Sequence, residues 1–274
     1  MNKVQNYFLV FILLFLPFCI SASGENKPIG GASAGMGGIS LNHVDLWSIH
    51  NNQAALGFYN HMSAGIYYEN RFGLKELSLK SAVFSLPTNT GNFGISLNHF
   101  GNTDYAEMKF GLAFGKSFGE KFSAGLQLNY MNTQITEEYG SRGAVSFELG
   151  MMAEIMDDLF IAAHAFNPIQ VNLADYNEEK IPAIFRLGLA YHYSEKLFTS
   201  VEVEKNIMHN PSFHAGLQYQ VIDEIFVRTG IATNPGRYAL GFGFLFGDFQ
   251  LDIAASYHQT LGFTPQAAII YQFK

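Results

Sequence analysis

The feature that most constrains this chain is an alternation of apolar and polar residues that runs from about His61 to Phe273. Between residues 122 and 130, for example, every second residue is apolar, and Ser, Gly, Gln and Asn lie between them. Period two sends successive side chains to opposite faces, so the pattern predicts β-strands. We count about fourteen such runs, each near the roughly 9–11 residues of a tilted transmembrane strand. The predicted strands span 60–70, 75–86, 91–101, 105–116, 120–132, 142–153, 158–166, 182–193, 196–205, 211–221, 224–232, 236–247, 248–258 and 264–273.

The connections between these strands alternate in length. Short acidic turns lie at 119–122, 157–160, 194–197, 223–226 and 247–249. Longer segments lie between them, at 132–141, 166–181, 204–210 and 257–263. Short turns at one rim and longer loops at the other are typical of outer-membrane barrels. The fold class predicted is therefore all-β, a transmembrane antiparallel up-and-down barrel.

A soluble β-sandwich also alternates, so the distribution of charge between the two strand faces must decide. The apolar set carries essentially no charge, whereas a charge at the lipid-facing midplane costs about 2–4 kcal/mol. Only 14% of the residues are charged, against about 25% in soluble proteins. This favours the membrane barrel. The charged residues assigned to the polar set are Glu69, Lys80, Glu107, Lys109, Glu148, Arg186, Glu202, Glu204, Arg228 and Asp252.

The N-terminal residues predict export. An apolar run at 7–20 leads into Ser21, Ala22 and Ser23, which predicts a signal peptide over residues 1–22; a membrane anchor is the alternative. We expect a bacterial outer-membrane location with membrane lipid around the barrel. The net charge of −7 disfavours nucleic acid as a partner, and a single Cys excludes an internal disulfide.

Residues 23–59 do not alternate cleanly. They are rich in glycine at first, and their second half predicts a short helix from near Asp45 to near Gly57. A barrel of about fourteen strands has a lumen wider than its own side chains fill. We therefore expect residues 23–59 to form a hatch inside a barrel made of residues 60–274.

The hatch carries a recognisable order of residues. Gly-Ala…Met-Gly-Gly is followed by Trp and then Asn-Gln-Ala-Ala-Leu. This order resembles the N-terminal signature of the PorV/PorQ-like outer-membrane barrels, which belong with the FadL-like fatty-acid transporter fold. The family usually has Pro where this chain has Gln53, and Gly is common where it has Ala55. The matching hatch residues are Gly35, Met36, Gly37, Gly38, Trp47, Asn52, Ala54 and Leu56.

The resemblance implies a fourteen-stranded barrel with an N-terminal hatch and no catalytic activity. Some members of the family are components of type IX protein secretion in Bacteroidota, with secretion proteins or exported cargo as partners. Others import hydrophobic small molecules. We expect a role in type IX secretion or surface attachment, and transport of hydrophobic molecules is the alternative.

No pattern in the chain predicts a catalytic, cofactor or metal site, and none of the nine histidines has metal-ligand spacing. The charged residues expected in the lumen form the one polar cluster with a possible functional role. They either brace the hatch or line a path for a solute. They are Glu107, Lys109, Glu148, Arg186, Glu202, Glu204, Arg228 and Asp252. The longest loop, 166–181, is a candidate ligand or partner contact or a simple lid, through Phe166, Ile169, Leu173 and Tyr176.

Overall fold

The computed structural model describes residues 26–135, 140–172 and 180–274. These residues form a closed barrel of fourteen antiparallel strands, in which each strand pairs with its neighbours in the chain and the first also pairs with the last. Closure leaves no sheet edge, so every strand has a hydrogen-bonded neighbour on both sides, as a membrane requires. The expected signal peptide, 1–22, lies outside the described residues.

The strand bounds agree with the predicted ones to within three residues. The period-two prediction of an all-β, fourteen-stranded barrel is therefore confirmed. The strands are β1 (Ser63–Asn70), β2 (Ser78–Thr88), β3 (Gly91–Gly101), β4 (Tyr105–Ser117), β5 (Phe122–Ile135), β6 (Ser141–Met156), β7 (Leu159–Phe166), β8 (Ile184–Ser194), β9 (Leu197–Asn206), β10 (Ser212–Ile222), β11 (Ile225–Ala232), β12 (Arg237–Phe246), β13 (Phe249–His258) and β14 (Gly262–Gln272).

The two rims of the barrel differ in their connections. One, here called the short-turn rim, has connections at 89–90, 118–121, 157–158, 195–196, 223–224 and 247–248, together with the start of β1 and the end of β14. The other, the long-loop rim, has 71–77, 102–104, 136–140, 167–183, 207–211, 233–236 and 259–261. In outer-membrane barrels the short turns face the periplasm and the longer loops face the exterior.

The wall has an apolar outer face and a polar inner face. On β5, Leu126 and Leu128 are exposed on the outside, whereas Gln127 and Asn129 are buried in the lumen. Lys80 departs from the prediction, because its side chain lies on the outer face of β2. The assignment was wrong because the lumen face of β2 carries Leu79, which packs in the interior and looks like a lipid-facing residue in the sequence.

The hatch lies inside the barrel and contains three short helices, α1 (Gly31–Gly35), α2 (Ser48–Asn51) and α3 (Gln53–Leu56). The single helix predicted from near Asp45 to near Gly57 is wrong, because Asn52 is extended, with φ −159° and ψ 104°. Its side-chain Oδ1 accepts from the Ala54 N–H and caps α3. In the part of the chain that the structure describes, no helix is long and apolar enough to cross a membrane.

The main hydrophobic core lies between the hatch and the wall. Trp47, Ile49 and Leu56 of the hatch are almost fully buried. They pack with lumen-facing Tyr67 and Leu79 of the wall, and the Trp47 ring meets the Tyr67 ring edge-on at 5.8 Å. The hatch is therefore held by burial of its own apolar residues as well as by polar contacts.

Candidate functional site

Glycines on the lumen face allow the hatch backbone to touch the wall. A Cβ on Gly230 would lie 2.2 Å from the carbonyl carbon of Met36. A Cβ on Gly125 would lie 2.4 Å from the carbonyl carbon of Gln53. These distances leave no room for any side chain, so glycine is required where the hatch docks.

The Gly-Met-Gly-Gly segment of the hatch turns sharply beside β10–β12. Gly37 and Gly38 have φ of +71° and +94°, a backbone conformation that favours glycine. The Gly37 carbonyl oxygen lies 2.8 Å from His214 Nδ1 and accepts from the Arg237 guanidinium at 3.1 Å. The glycines of the motif thus bring a backbone acceptor to two wall side chains.

The second half of the motif docks through its carbonyl oxygens. The Ala54 carbonyl oxygen accepts from the Ser123 hydroxyl at 2.8 Å, and that of Leu56 accepts from Asn92 Nδ2 at 2.8 Å. Within the hatch, Asn52 Nδ2 donates to the carbonyl oxygen of Leu41 at 2.8 Å. Ala54 and Leu56 of the family motif therefore dock the hatch to the wall, whereas Asn52 braces the hatch internally.

Glu148 is the most highly connected carboxylate of the lumen and is fully buried. Its Oε1 accepts from Lys109 Nζ and from Asn129 Nδ2, each at 2.9 Å. Its Oε2 lies 3.0 Å from His164 Nε2 and accepts from Gln53 Nε2 at 3.2 Å. These donors compensate the buried charge, and Gln53 connects it to the hatch.

Other charged residues of the lumen form ion pairs, and Asn26 of the hatch links one of these pairs to Glu148, because Lys109 donates to its side-chain oxygen and Arg186 to its carbonyl oxygen. Arg186 pairs with Glu204 at 2.7 Å, and Arg228 pairs with Asp252 at 2.5 Å. Glu107 accepts from the Tyr105 hydroxyl.

Glu202 has a different kind of partner. Its Oε1 accepts from the backbone N–H groups of Ser40 and Leu41, both at 2.7 Å. The Arg186 guanidinium likewise donates to the carbonyl oxygen of Asn26. The lumen charges thus hold hatch backbone as well as each other.

Several residues of this site were not singled out from the sequence. Gln53 and His164 on Glu148, and His214 and Arg237 on Gly37, were missed. Strand parity placed the three wall residues on the lumen face, and Gln53 stood out only where the family usually has Pro. The path of the hatch, which decides their partners, is not encoded in any local pattern. A third group, Glu69 with Arg71, forms an ion pair at 2.6 Å near the long-loop rim.

Two hatch histidines are neutral at ordinary pH. Burial is the main cause that lowers the pKa of His43 to about 3, and the nearby charges of Arg228 and His192 act in the same direction. Burial, together with the charge of Lys109, holds the pKa of His50 well below its usual 6.5. Neither ring adds a positive charge to the docked hatch.

The hatch packs against the wall toward the short-turn rim, and cavities remain on its long-loop side. One of about 120 Å³, here called the apolar cavity, lies between hatch and wall. Its apolar lining includes Ile29, Leu79, Phe100, Met131, Phe166 and Ile181, and its polar lining includes His50, Arg71, Asn98, Glu107 and Lys109. A second space of about 400 Å³ is more polar and includes Lys27, Glu204, His209, His214 and Arg237.

The residues predicted for the longest loop separate in the structure. Phe166 ends β7, is 2% exposed and lines the apolar cavity, with its ring centre 5.3 Å from Lys109 Nζ. Ile169 is exposed on the loop surface. Leu173 and Tyr176 lie outside the described residues. Among the described residues, no cluster of three or more His, Cys, Asp or Glu side chains is arranged to hold a metal ion.

Comparison with known proteins gives a match in structure alone. No protein-family model matches the sequence, and no curated protein matches it. The monoaromatic hydrocarbon channel CymD superposes with a TM-score of 0.71 at 12% identity, over 92% of this chain and 99% of that one. The Pseudomonas putida toluene transporter TodX gives 0.66 at 12% identity, over 90% and 98%. A Pseudomonas aeruginosa FadL homologue gives 0.64 at 13% identity, over 89% and 96%.

The fold is FadL-like. This part of the resemblance seen in the sequence is supported by these outer-membrane barrels, one of which is named as a FadL homologue. Nothing in these comparisons supports the PorV/PorQ assignment, type IX secretion or an origin in Bacteroidota, and those remain predictions from the sequence.

Proposed function

We propose that this chain is a non-enzymatic outer-membrane channel for small hydrophobic molecules. The observation that carries the proposal is the apolar cavity between hatch and wall, on the side of the hatch that faces the long-loop rim. A purely structural barrel has no need of such a space, because its lumen is free to pack solid.

The size of the apolar cavity suits one small ring compound. Its volume of about 120 Å³ is close to that of an engineered apolar cavity of about 150 Å³ that binds benzene. Leu79, Met131 and Phe166 offer apolar contact, and Lys109 is positioned to meet a polar substituent. A mostly apolar lining with a few polar groups is usual for small-molecule sites.

The compared structures support this function over the secretion role expected first. CymD and TodX are named as a hydrocarbon channel and a toluene transporter. Their likeness to this chain establishes a shared fold, and the cavity is the independent reason to extend the comparison to hydrophobic solutes. No contact in the described residues favours a secretion partner.

Filling the apolar cavity tests the proposal. Met131→Trp places a large ring in the cavity, whereas Leu128→Trp changes the lipid-facing side of the same strand. Uptake of radiolabelled toluene is measured in a bacterial host that lacks its own channels for hydrophobic compounds. We expect Met131→Trp to reduce uptake and Leu128→Trp to match the unmodified chain. Uptake by the unmodified chain no greater than by the host alone would contradict the proposal.

A further inference from the structure

The lipid-facing surface of the wall is almost without charge. Across all fourteen strands, which are fully described, only Lys80, Lys116 and Lys205 are charged residues on the outer face. All three lie within two residues of a strand end. Lysine near a membrane surface extends its ammonium toward the headgroups.

Lys80 differs from the other two lysines in its surroundings. Lys205 donates to the carbonyl oxygen of His209, and Lys116 lies 5.9 Å from the ring centre of Phe118. Lys80 has no hydrogen-bond or ion-pair partner among the described residues. Its ammonium is therefore available to a group from outside the chain.

Lys80 also belongs to a polar row on the outside of the barrel. It lies directly opposite Tyr68 on β1 and His99 on β3, so the three side chains share one face. His99 is partly exposed, and because its Nδ1 is enclosed by the protein, its Nε2 is the ring nitrogen that can meet a group from outside. The row lies two residues below the long-loop rim, at the level of lipid headgroups.

An apolar groove lies next to this row, toward the middle of the membrane. It has a volume of about 850 Å³. Ala82 and Ala267 are small residues among the larger side chains of Ile66, Leu97 and Phe110, which also line the groove. The outer face thus combines cationic and polar groups near the rim with an apolar depression below them.

We propose that this surface binds one phosphate-bearing lipid of the outer leaflet, with its phosphate at Lys80 and His99 and an acyl chain in the groove. Charge complementarity selects this occupant. A second copy of the chain is disfavoured, because its outer face presents lysines and no acid in the strands. A molecule leaving the lumen here is disfavoured because β2 and β3 pair continuously from Leu79 to Thr88. The inference does not rest on the transport function.

The test of this site removes lipid from the detergent-solubilised barrel, adds back one defined lipid and measures how much of it the barrel retains. Native mass spectrometry counts bound molecules of dipalmitoyl phosphatidic acid or of dipalmitoylglycerol, which has the same chains and no phosphate. We expect one phosphatidic acid per barrel and little diacylglycerol. Lys80→Gln should weaken retention about fivefold, the factor expected from losing one Lys near a membrane surface. Lys205→Gln, at the same rim, is the matched control and should have no effect.

A second variant tests the groove. Ala82→Phe fills the groove and should reduce retention with Lys80 intact, while heat-modifiable gel mobility verifies that each barrel is folded. Equal retention of the two lipids, or equal effects of Lys80→Gln and Lys205→Gln, would overturn the proposal. A lipid-free dimer in the mass spectrum would assign the groove to a second copy, and displacement of the lipid by toluene would assign it to a transported compound.

Discussion

Gln53 of the hatch donates its side-chain amide to Glu148 of the wall across 3.2 Å, and both residues are fully buried. Gln53 is the first residue of α3, where the resembling family usually has Pro. Pro fits the first position of a helix, because the backbone N–H that it lacks makes no hydrogen bond within the helix there. The preceding Asn52 is already extended, as a residue before Pro prefers. In this chain, the side chain at this position instead joins the hatch to a wall carboxylate.

Gln53→Pro is therefore expected to preserve α3 and to weaken the docking of the hatch. A hydrogen bond to a charged group contributes about 1.5–3 kcal/mol, and the variant removes the one to Glu148 together with the bond from Gln53 Nε2 to the Ile49 carbonyl oxygen within the hatch. Trp47 is the only Trp and is buried between hatch and wall, so its emission during a urea titration reports hatch release. Gln53→Leu removes the same bonds without the ring and should shift the midpoint similarly. A large difference between the urea midpoints of the two variants would mean that the proline ring alters the backbone, and that loss of the hydrogen bond is not the main cause.

Adding a single methyl group to the wall should displace the hatch without opening the barrel. A Cβ on Gly230 would lie 2.2 Å from the Met36 carbonyl carbon, whereas the nearest atom to a Cβ on Gly236 is 3.5 Å away. We expect Gly230→Ala to make the hatch sensitive to protease while heat-modifiable gel mobility is retained. Gly236→Ala should behave like the unmodified chain. Equal protease resistance in both variants would mean that the hatch shifts to accommodate the methyl group.

The barrel could be predicted from the sequence because the patterns that specify its strands and turns lie within short segments of the chain. Alternation fixes which side chains share a face, and turn residues fix where strands end. The failure at Lys80 has the same origin. Parity alone does not say which face is the lumen, and the lumen face of β2 mixes apolar Leu79 and Val83 with Ser81 and Ser85.

The site could be predicted only in part, because it depends on contacts between distant segments. The lumen charges were found as a set, but Glu202 holds hatch backbone 161 and 162 residues away. That pairing follows from the path of the hatch, which carries no periodic signal. The apolar cavity is lined by residues from such distant segments, so no local sequence pattern predicts it.

Locking the hatch to the wall should block uptake if solutes pass beside the hatch. The sole Cys, Cys19, lies in the expected signal peptide, so Met36→Cys with Gly216→Cys gives one defined pair. A Cβ on Gly216 would lie 2.9 Å from that of Met36 and 2.8 Å from the Met36 carbonyl oxygen. The hatch must therefore shift slightly to reach the usual ~3.5–4.5 Å of a disulfide, and the Gly216→Cys single variant measures the effect of that shift. We expect low toluene uptake when oxidised and recovery with reductant. Each single variant is the control, and full uptake by the oxidised pair would show that the hatch need not move.

Asp45 should make docking of the hatch depend on pH. Asp45 is partly exposed as a residue, but its Oδ1 atom is buried and has no hydrogen-bond partner in the described residues. Burial, and then the charge of Asp252, raises the pKa of this carboxyl to about 7 from 3.8, against the backbone N–H groups of Trp47 and Ser48 and the charge of Arg228, which lower it. Because the pKa of Asp45 is raised in the docked hatch, protonation of Asp45 stabilises docking. This stabilisation is fully present below about pH 3.8 and is lost as pH rises toward 7. Above that pH it changes no further.

Asp45→Asn isolates this effect, because the asparagine does not titrate. His43 and His50, whose pKa values are lowered, oppose docking as pH falls below 6.5, so the unmodified chain alone gives a mixed profile. We expect the Trp47-monitored urea midpoints of the variant and the unmodified chain to be similar near pH 4. The variant should then become relatively more stable up to about pH 7, with a constant difference beyond. A difference that does not vary between pH 4 and 7 would mean that Asp45 is ionised in the docked hatch.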